Sequence, residues 1–320
     1  MTGYLLRRIA AAVPLVFGVL TLTFFMVRLA PGDPASLYIS GDISPAFAEQ
    51  LRHSFGLDQP LHVQYVQWLF STVRGDFGIS FSKHAPVFDV IMDTLPRTLL
   101  LTSAALALNF IIGIGLGIAA AVRRGGFQDH ALGILSLFLY SMPEFWLGLM
   151  LILGLSLQIP IFPASGMHSP LASYLPAFDY AMDVLQHMVL PVFVLGIASA
   201  AATGRYMRGS LLEVINQDYV RTARAKGVRE AVVLTRHALR NALLPIITLF
   251  GLSLPFLLGG AVIVETVFGW PGMGKLAVDA IFTRDYPMII ACTFVAGCTV
   301  IAGNLISDVL YAIADPRIRY

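Results

Sequence analysis

Gly269-Trp-Pro-Gly-Met-Gly274-Lys275 fits the Gly-x-x-x-x-Gly-Lys frame of a phosphate-binding loop. Such a loop needs a buried strand before it and a Ser or Thr after the lysine to hold magnesium. Leu276 stands in that place and no strand pattern precedes the frame, so nucleotide binding is not expected there. The carboxylates Glu144, Glu265 and Asp308 lie in or beside apolar runs, where an acid is a functional candidate by default. Glu144 follows a helix-bending proline, and Glu265 is expected at a span end within reach of water. Both have packing or structural roles as competitors. Asp308 is expected in an ion pair or cap, and Asn109 either hydrogen-bonds across helices or lines a solute path. The histidines at 53, 62, 84, 130, 168, 187 and 237 form no His-x-x-x-His pair, and Gly-x-Ser-x-Gly is absent, so neither a catalytic metal nor a nucleophile elbow is expected. Cys292 and Cys298 do not share a helix face and are expected to pack as small apolar residues.

The densest polar chemistry is in Asp218-Tyr-Val-Arg-Thr-Ala-Arg-Ala-Lys-Gly227. Asp218 is expected to cap a helix by accepting hydrogen bonds from its first free amides. Arg224 and Lys226 sit where the helix dipole favours cations, and Gly227 suits the left-handed residue that ends a helix. Tyr219, Val220 and Ala223 make a small apolar face. A helix this short is barely stable alone and is expected to lean on a partner surface. The residues by themselves leave two readings open, a docking element for another protein and a solvated basic loop that fixes topology.

These groups are positioned by a chain that is 57% hydrophobic and 12% charged, with a mean hydropathy of +0.76. Soluble domains carry roughly 25% charged residues, so a polytopic all-α membrane protein is the class that composition permits. Apolar runs predict six spans, at about 9–28, 99–122, 131–157, 184–204, 243–264 and 288–312. The first is expected to be uncleaved, and the third to be one helix kinked at Pro143-Glu144. Gly113 and Gly117 share a face that permits close helix approach. The insert 30–97 is expected outside the membrane, with an amphipathic helix over 61–73 whose apolar face is Val63, Val66, Leu69, Phe70 and Val73.

Orientation follows from the basic residues. Arg7, Arg8, Arg123, Arg124, Arg205, Arg208, Arg221, Arg224, Lys226, Arg229, Arg236, Arg240, Arg317 and Arg319 fall on one side. Arg52, Arg74, Lys83, Arg97, Lys275 and Arg284 fall on the other, over longer loops. The positive-inside rule then makes both termini and the loop 205–240 cytosolic.

Tyr219-Val-Arg-Thr-Ala-Arg-Ala-Lys-Gly227, followed by His237-Ala-Leu-Arg-Asn-Ala-Leu-Leu-Pro245, resembles the cytosolic signature loop of binding-protein-dependent ABC importer permeases of the dipeptide, oligopeptide and nickel class. The likeness extends to Leu29-Ala-Pro-Gly-Asp-Pro34, Gly75-Asp-Phe-Gly78, Glu265-Thr-Val-Phe-Gly-Trp-Pro-Gly-Met-Gly274 and Asp315-Pro-Arg-Ile-Arg-Tyr320, in the order of the first permease subunit of such systems. The chain departs from the general motif, with Arg221-Thr222-Ala223 where Glu-Ala-Ala is usual.

The resemblance implies a type I ABC importer permease fold and a coupling helix made of Tyr219, Val220, Arg221, Thr222, Ala223, Arg224, Ala225, Lys226 and Gly227. Tyr219 and Val220 would be its apolar contacts with an ATPase subunit. It makes 268–274 an external re-entrant or capping element near the pore mouth, and Trp270 joins Asn109, Glu144 and Glu265 as candidates for the solute path or gate. The implied function is ATP-driven uptake of short peptides by alternating access. The implied partners are a homologous second permease, two cytosolic ATPase subunits or one fused chain, an extracytoplasmic solute-binding protein and membrane lipid, with no nucleic acid. ATP and magnesium would be bound by the ATPase subunits and no cofactor by this chain. The rival reading is a proton-driven secondary transporter, which would use the carboxylates but leaves the signature loop unexplained.

Overall fold

The computed structural model describes residues 2–29, 59–259 and 261–314. The insert residues 30–58, including Pro31-Gly-Asp-Pro34, and the tail 315–320 lie outside the described residues. Among the described residues the regular elements are helices, with longer connections at 74–86 and 159–176.

Helix α1 is Thr2–Leu29, and α2 is Leu61–Val73. α2 docks on α1 through aromatic rings, with Tyr65 and Trp68 5.3 and 5.2 Å from Phe24. A hydrogen bond of 2.7 Å joins Thr21 and the Tyr65 hydroxyl. The packed side of α2 is therefore the aromatic side, not the expected valine stripe. Val66, Phe70 and Val73 are exposed, and the Arg74 guanidinium lies 4.0 Å from the Phe70 ring centre.

Helix α3, Val87–Val122, begins well before the expected span at 99 because Pro86 pre-sets an extended entry and the apolar pattern continues from Val87. Arg123–Gly126 turns the chain, with Gly125 at φ +76°, into α4, Phe127–Ser141. The expected kink at Pro143 is a full break. Proline lacks an N–H and drives Met142 into an extended conformation (φ −83°, ψ 128°). α5, Glu144–Gln158, therefore leaves α4 at 100°, and its last part, Ile152–Gln158, is π-helical.

Helix α6 runs unbroken from Ala177 to Ile215. Asp218–Ala225 is α7. Glu230–Ala242 is α8, π-helical over Val233–Leu239. α9, Leu244–Gly259, follows at a bend of 43° beside Pro245. The expected fifth span, 243–264, is thus two pieces, because α10, Val262–Val267, is a separate short helix. α11 is Met273–Phe282 and α12 is Tyr286–Ala314.

Helices α3, α6 and α12 are each long and apolar enough to cross a membrane. The bent pairs α4–α5 and α8–α9 pass the same test as pairs, which makes up to five such spans among the described residues, and Ala10–Met26 of α1 is a shorter apolar stretch. Exposed large apolar side chains such as Ile111, Ile134, Leu137 and Leu252 are what a lipid-facing surface requires.

α3 and α6 form the most extensive helix pair. A Cβ on Gly113 would sit 2.7 Å from the Thr203 Cβ, and one on Gly117 would sit 2.6 Å from the Gly204 carbonyl oxygen. Small residues let two backbones meet where no difference in hydrophobicity drives association. Gly117→Leu is therefore expected to destabilise the subunit by about 1–3 kcal/mol or more. Gly115→Ala, whose new Cβ meets nothing within 4 Å, should be neutral or mildly stabilising. Thermal unfolding in detergent checks the pair, and equal behaviour of the two variants would contradict this packing.

Candidate functional site

α7 is a helix whose stop signal is written locally. Its cap residue is Gln217 rather than the expected Asp218, which occupies the first helical position with no side-chain capping bond. An acid there still favours the positive end of the dipole. At the other end the Val228 N–H donates to the Ala223 carbonyl (3.3 Å) and the Gly227 N–H to the Arg224 carbonyl (2.9 Å). Gly227 has φ +74°. This is the paired hydrogen-bond pattern of a glycine-terminated helix.

The short helix leans on its own chain. Val220 is 0% exposed and Ala223 is buried beside it, and both pack with Val233 of α8, with Val228 at the edge. The apolar contact expected of Val220 is thus made inside the chain, because the turn at Gly227 folds α8 back over that face. The Asn241 amide donates to the Tyr219 hydroxyl at 2.7 Å. Arg224 donates to Glu230 at 2.6 Å, which raises the guanidinium pKa and lowers the carboxyl pKa. Tyr219, Arg221, Thr222, Arg224, Ala225 and Lys226 face outward. The result is a clasped helical hairpin with a polar, basic outer surface. Beneath it Arg208 of α6 makes a bidentate pair with Asp129 of α4, holding that carboxyl at about 2.

A cavity of about 620 Å³ lies among α3, α5, α6, α9 and the start of α10, within the 300–1,000 Å³ usual for small-ligand sites. Thr102, Leu106 and Asn109 line it from α3, Glu144 from α5, Ser199, Thr203 and Tyr206 from α6, Leu249 and Ser253 from α9, and Ile263 from α10. Asn109 is fixed by the Thr203 hydroxyl, which donates to its Oδ1 at 2.8 Å.

Glu265 and Trp270 are placed elsewhere. Glu265 was expected within reach of water, yet it is 0% exposed. Its carboxylate accepts from Thr98 Oγ1 (2.8 Å), the Gly274 N–H (2.7 Å) and the Lys275 N–H (3.1 Å). Thr98 Oγ1 in turn accepts from the Met273 N–H at 2.7 Å. The glycine frame therefore spends its amides, at the start of α11, on the chain's own acid, and Lys275 pairs with Asp279 at 2.6 Å. Trp270 is 0% exposed, packed with Leu101, Val184 and Met188, and its indole N–H donates to the Arg97 carbonyl at 3.1 Å. Both residues make their contacts around the 265–274 segment, and neither is among the lining residues of this cavity.

One cluster escaped the sequence analysis. Buried Asp285 accepts from the Ser80 hydroxyl (2.5 Å), the Ser82 hydroxyl (2.8 Å) and the Ser82 N–H (3.0 Å). Burial opposes its ionisation, and these donors outweigh burial and keep its pKa below the ordinary value. Nothing local in the sequence links residues so far apart. Cys292 is buried with Met273, Met288 and Ala291, and among the described residues no three His, Cys, Asp or Glu side chains gather as metal ligands.

Apolar helices around a cavity, two of them joined by a basic helical hairpin, fit a membrane permease. The chain belongs to the family of binding-protein-dependent transport system inner membrane components, which matches residues 113–320; the N-terminal family of the same membrane components matches residues 1–102. It is a multi-pass inner-membrane permease of the ABC importer class. It is 45% identical, over the whole of both chains, to the oligopeptide transport system permease protein AppB of Bacillus subtilis. It is 39% identical to the di/tripeptide transport system permease protein DppB of Pseudomonas aeruginosa and 39% to the dipeptide transport system permease protein DppB of Escherichia coli. In both cases the match covers 100% of this chain and 99% of the relative.

Proposed function

We propose that this chain is one of two permease subunits of an ABC importer that takes up short peptides by ATP-driven alternating access. The observation that carries the reading is connectivity. The α7–α8 hairpin joins α6 and α9, and both of those helices line the cavity. α6 contributes Tyr206 to the cavity wall and reaches the hairpin three turns later, while α8 runs into α9 through a single bend. A partner that grips the hairpin would tilt two walls of the cavity at once, the two-state packing that alternating access requires.

In this reading the chain crosses the membrane six times with both termini and the hairpin in the cytosol, as the distribution of Arg and Lys supports. Tyr219, Arg221, Thr222, Ala225 and Lys226 meet an ATPase subunit, while Val220, Ala223, Arg224 and Gly227 hold the helix in shape. Two ATPase subunits, or one fused chain, bind ATP and magnesium, and this chain binds no cofactor. A homologous second permease completes the wall around the solute, and an extracytoplasmic solute-binding protein delivers it. That the relatives named above are oligopeptide, di/tripeptide and dipeptide permeases supports peptides as cargo.

Reconstitution tests the proposal. Proteoliposomes holding this chain, the second permease and the ATPase subunits, with loaded solute-binding protein outside, are expected to accumulate dialanine only with ATP inside. Accumulation by this chain alone, driven by a proton gradient, would establish the rival secondary transporter.

A further inference from the structure

Among the described lining residues the cavity has one acidic side chain, and it is an exposed one. Glu144 is its sole carboxylate, and no Lys, Arg or His joins it among the lining residues. Within the described chain the Glu144 carboxylate forms neither an ion pair nor a hydrogen bond. That sets it apart from Glu265, Asp285 and Asp129, each of which is saturated by donors from this chain. An ionised carboxylate among apolar helices is costly unless something of opposite sign meets it. A second polar group lining the same cavity, from α3, is similarly half-used. The Asn109 Oδ1 is occupied by Thr203, while its Nδ2 donates to nothing among the described residues.

An anion and a free amide donor lining one cavity complement an ammonium and a carbonyl, the two polar groups of a peptide's first residue. Resting on the peptide-importer reading above, we propose that Glu144 is the counter-charge for the free α-ammonium of the cargo as it crosses, with the Asn109 Nδ2 offered to its first peptide carbonyl. The remaining wall, with Leu106, Leu249 and Ile263, offers apolar contact to side chains of varied shape. Such a site reads the peptide terminus and tolerates the rest.

The test uses the assembled importer in proteoliposomes with loaded solute-binding protein, following dialanine and N-formyl-dialanine, the latter at a concentration where the unmodified importer gives measurable uptake. Glu144→Gln is expected to lower dialanine uptake by about tenfold or more and to leave N-formyl-dialanine uptake within about twofold. Glu144→Asp, which keeps the charge, should retain most of the dialanine rate. Equal loss on both peptides would place the counter-charge on the protein assembly and overturn the proposal. So would unchanged dialanine uptake in Glu144→Gln, or a loss in Glu144→Asp as large as in Glu144→Gln. ATP hydrolysis stimulated by loaded binding protein should persist in Glu144→Gln. Failure of the unmodified assembly to take up dialanine would instead count against the importer reading itself.

Discussion

Replacing Arg221 and Lys226 together by glutamate is expected to lower ATP-driven uptake by about a hundredfold while the subunit remains folded and inserted. Both side chains point away from the hairpin core. Arg221 is 68% exposed and its nearest acid, Asp218, is 3.8 Å away and itself 99% exposed, so the chain loses little internal energy when they change. Against a partner surface built for cations, two reversed charges are like-charge contacts costing several kcal/mol. A hundredfold effect needs only about 2.8 kcal/mol. Ala223, part of the expected docking face, cannot serve in this test. It packs under Val233, and a charge there would open the hairpin before any partner is involved. Uptake by proteoliposomes and co-purification with the ATPase subunits measure the outcome. Uptake within twofold of the unmodified protein, with normal assembly, would remove the hairpin from the coupling route.

Removing the Glu265 carboxylate should have the largest effect on stability. In Glu265→Ala the Gly274 and Lys275 amides and the Thr98 hydroxyl lose their common acceptor in a site with no exposure. Each unsatisfied group costs about 1–3 kcal/mol, so a loss of several kcal/mol is expected, seen as a large fall in the thermal unfolding temperature. Glu265→Gln keeps an acceptor for the two amides and can donate to Thr98, so it should be much milder. Near-normal uptake in Glu265→Gln would agree with a bracing role, whereas a stable but inactive Glu265→Gln would return this residue to the solute path. Gly272 and Gly274 belong to the same design. A Cβ on Gly272 would sit 2.4 Å from the Glu265 carboxyl, and one on Gly274 would sit 2.6 Å from the Val262 Cα. The glycines that imitate a phosphate loop are there so that a backbone can close around an internal acid.

The features legible in the sequence are those set by neighbours along the chain. The helix Asp218–Ala225 with its glycine stop, the close-packing face of Gly113 and Gly117, and the helix at 61–73 all follow from residue type at helical spacing. The break at Met142–Pro143 was legible as a location but not as an angle, because proline dictates where hydrogen bonding fails and packing dictates how far the halves diverge. The two bent spans and the separate α10 were hidden for the same reason, since hydropathy is blind to direction.

By itself the sequence determined the membrane class and the position of the short basic helix, because composition, periodicity and local stop signals are short-range properties, while its motifs carried the resemblance to the family. Only the tertiary structure decided which polar groups are spent and which are free. It joined Thr98 to Glu265 and Ser80 to Asp285, turned Val220 and Ala223 inward on their own chain, and left Glu144 and Asn109 lining one cavity. Whether an acid in an apolar run is a brace or a binding group depends on the donors that folding brings to it from distant parts of the chain, and residue spacing carries no record of that.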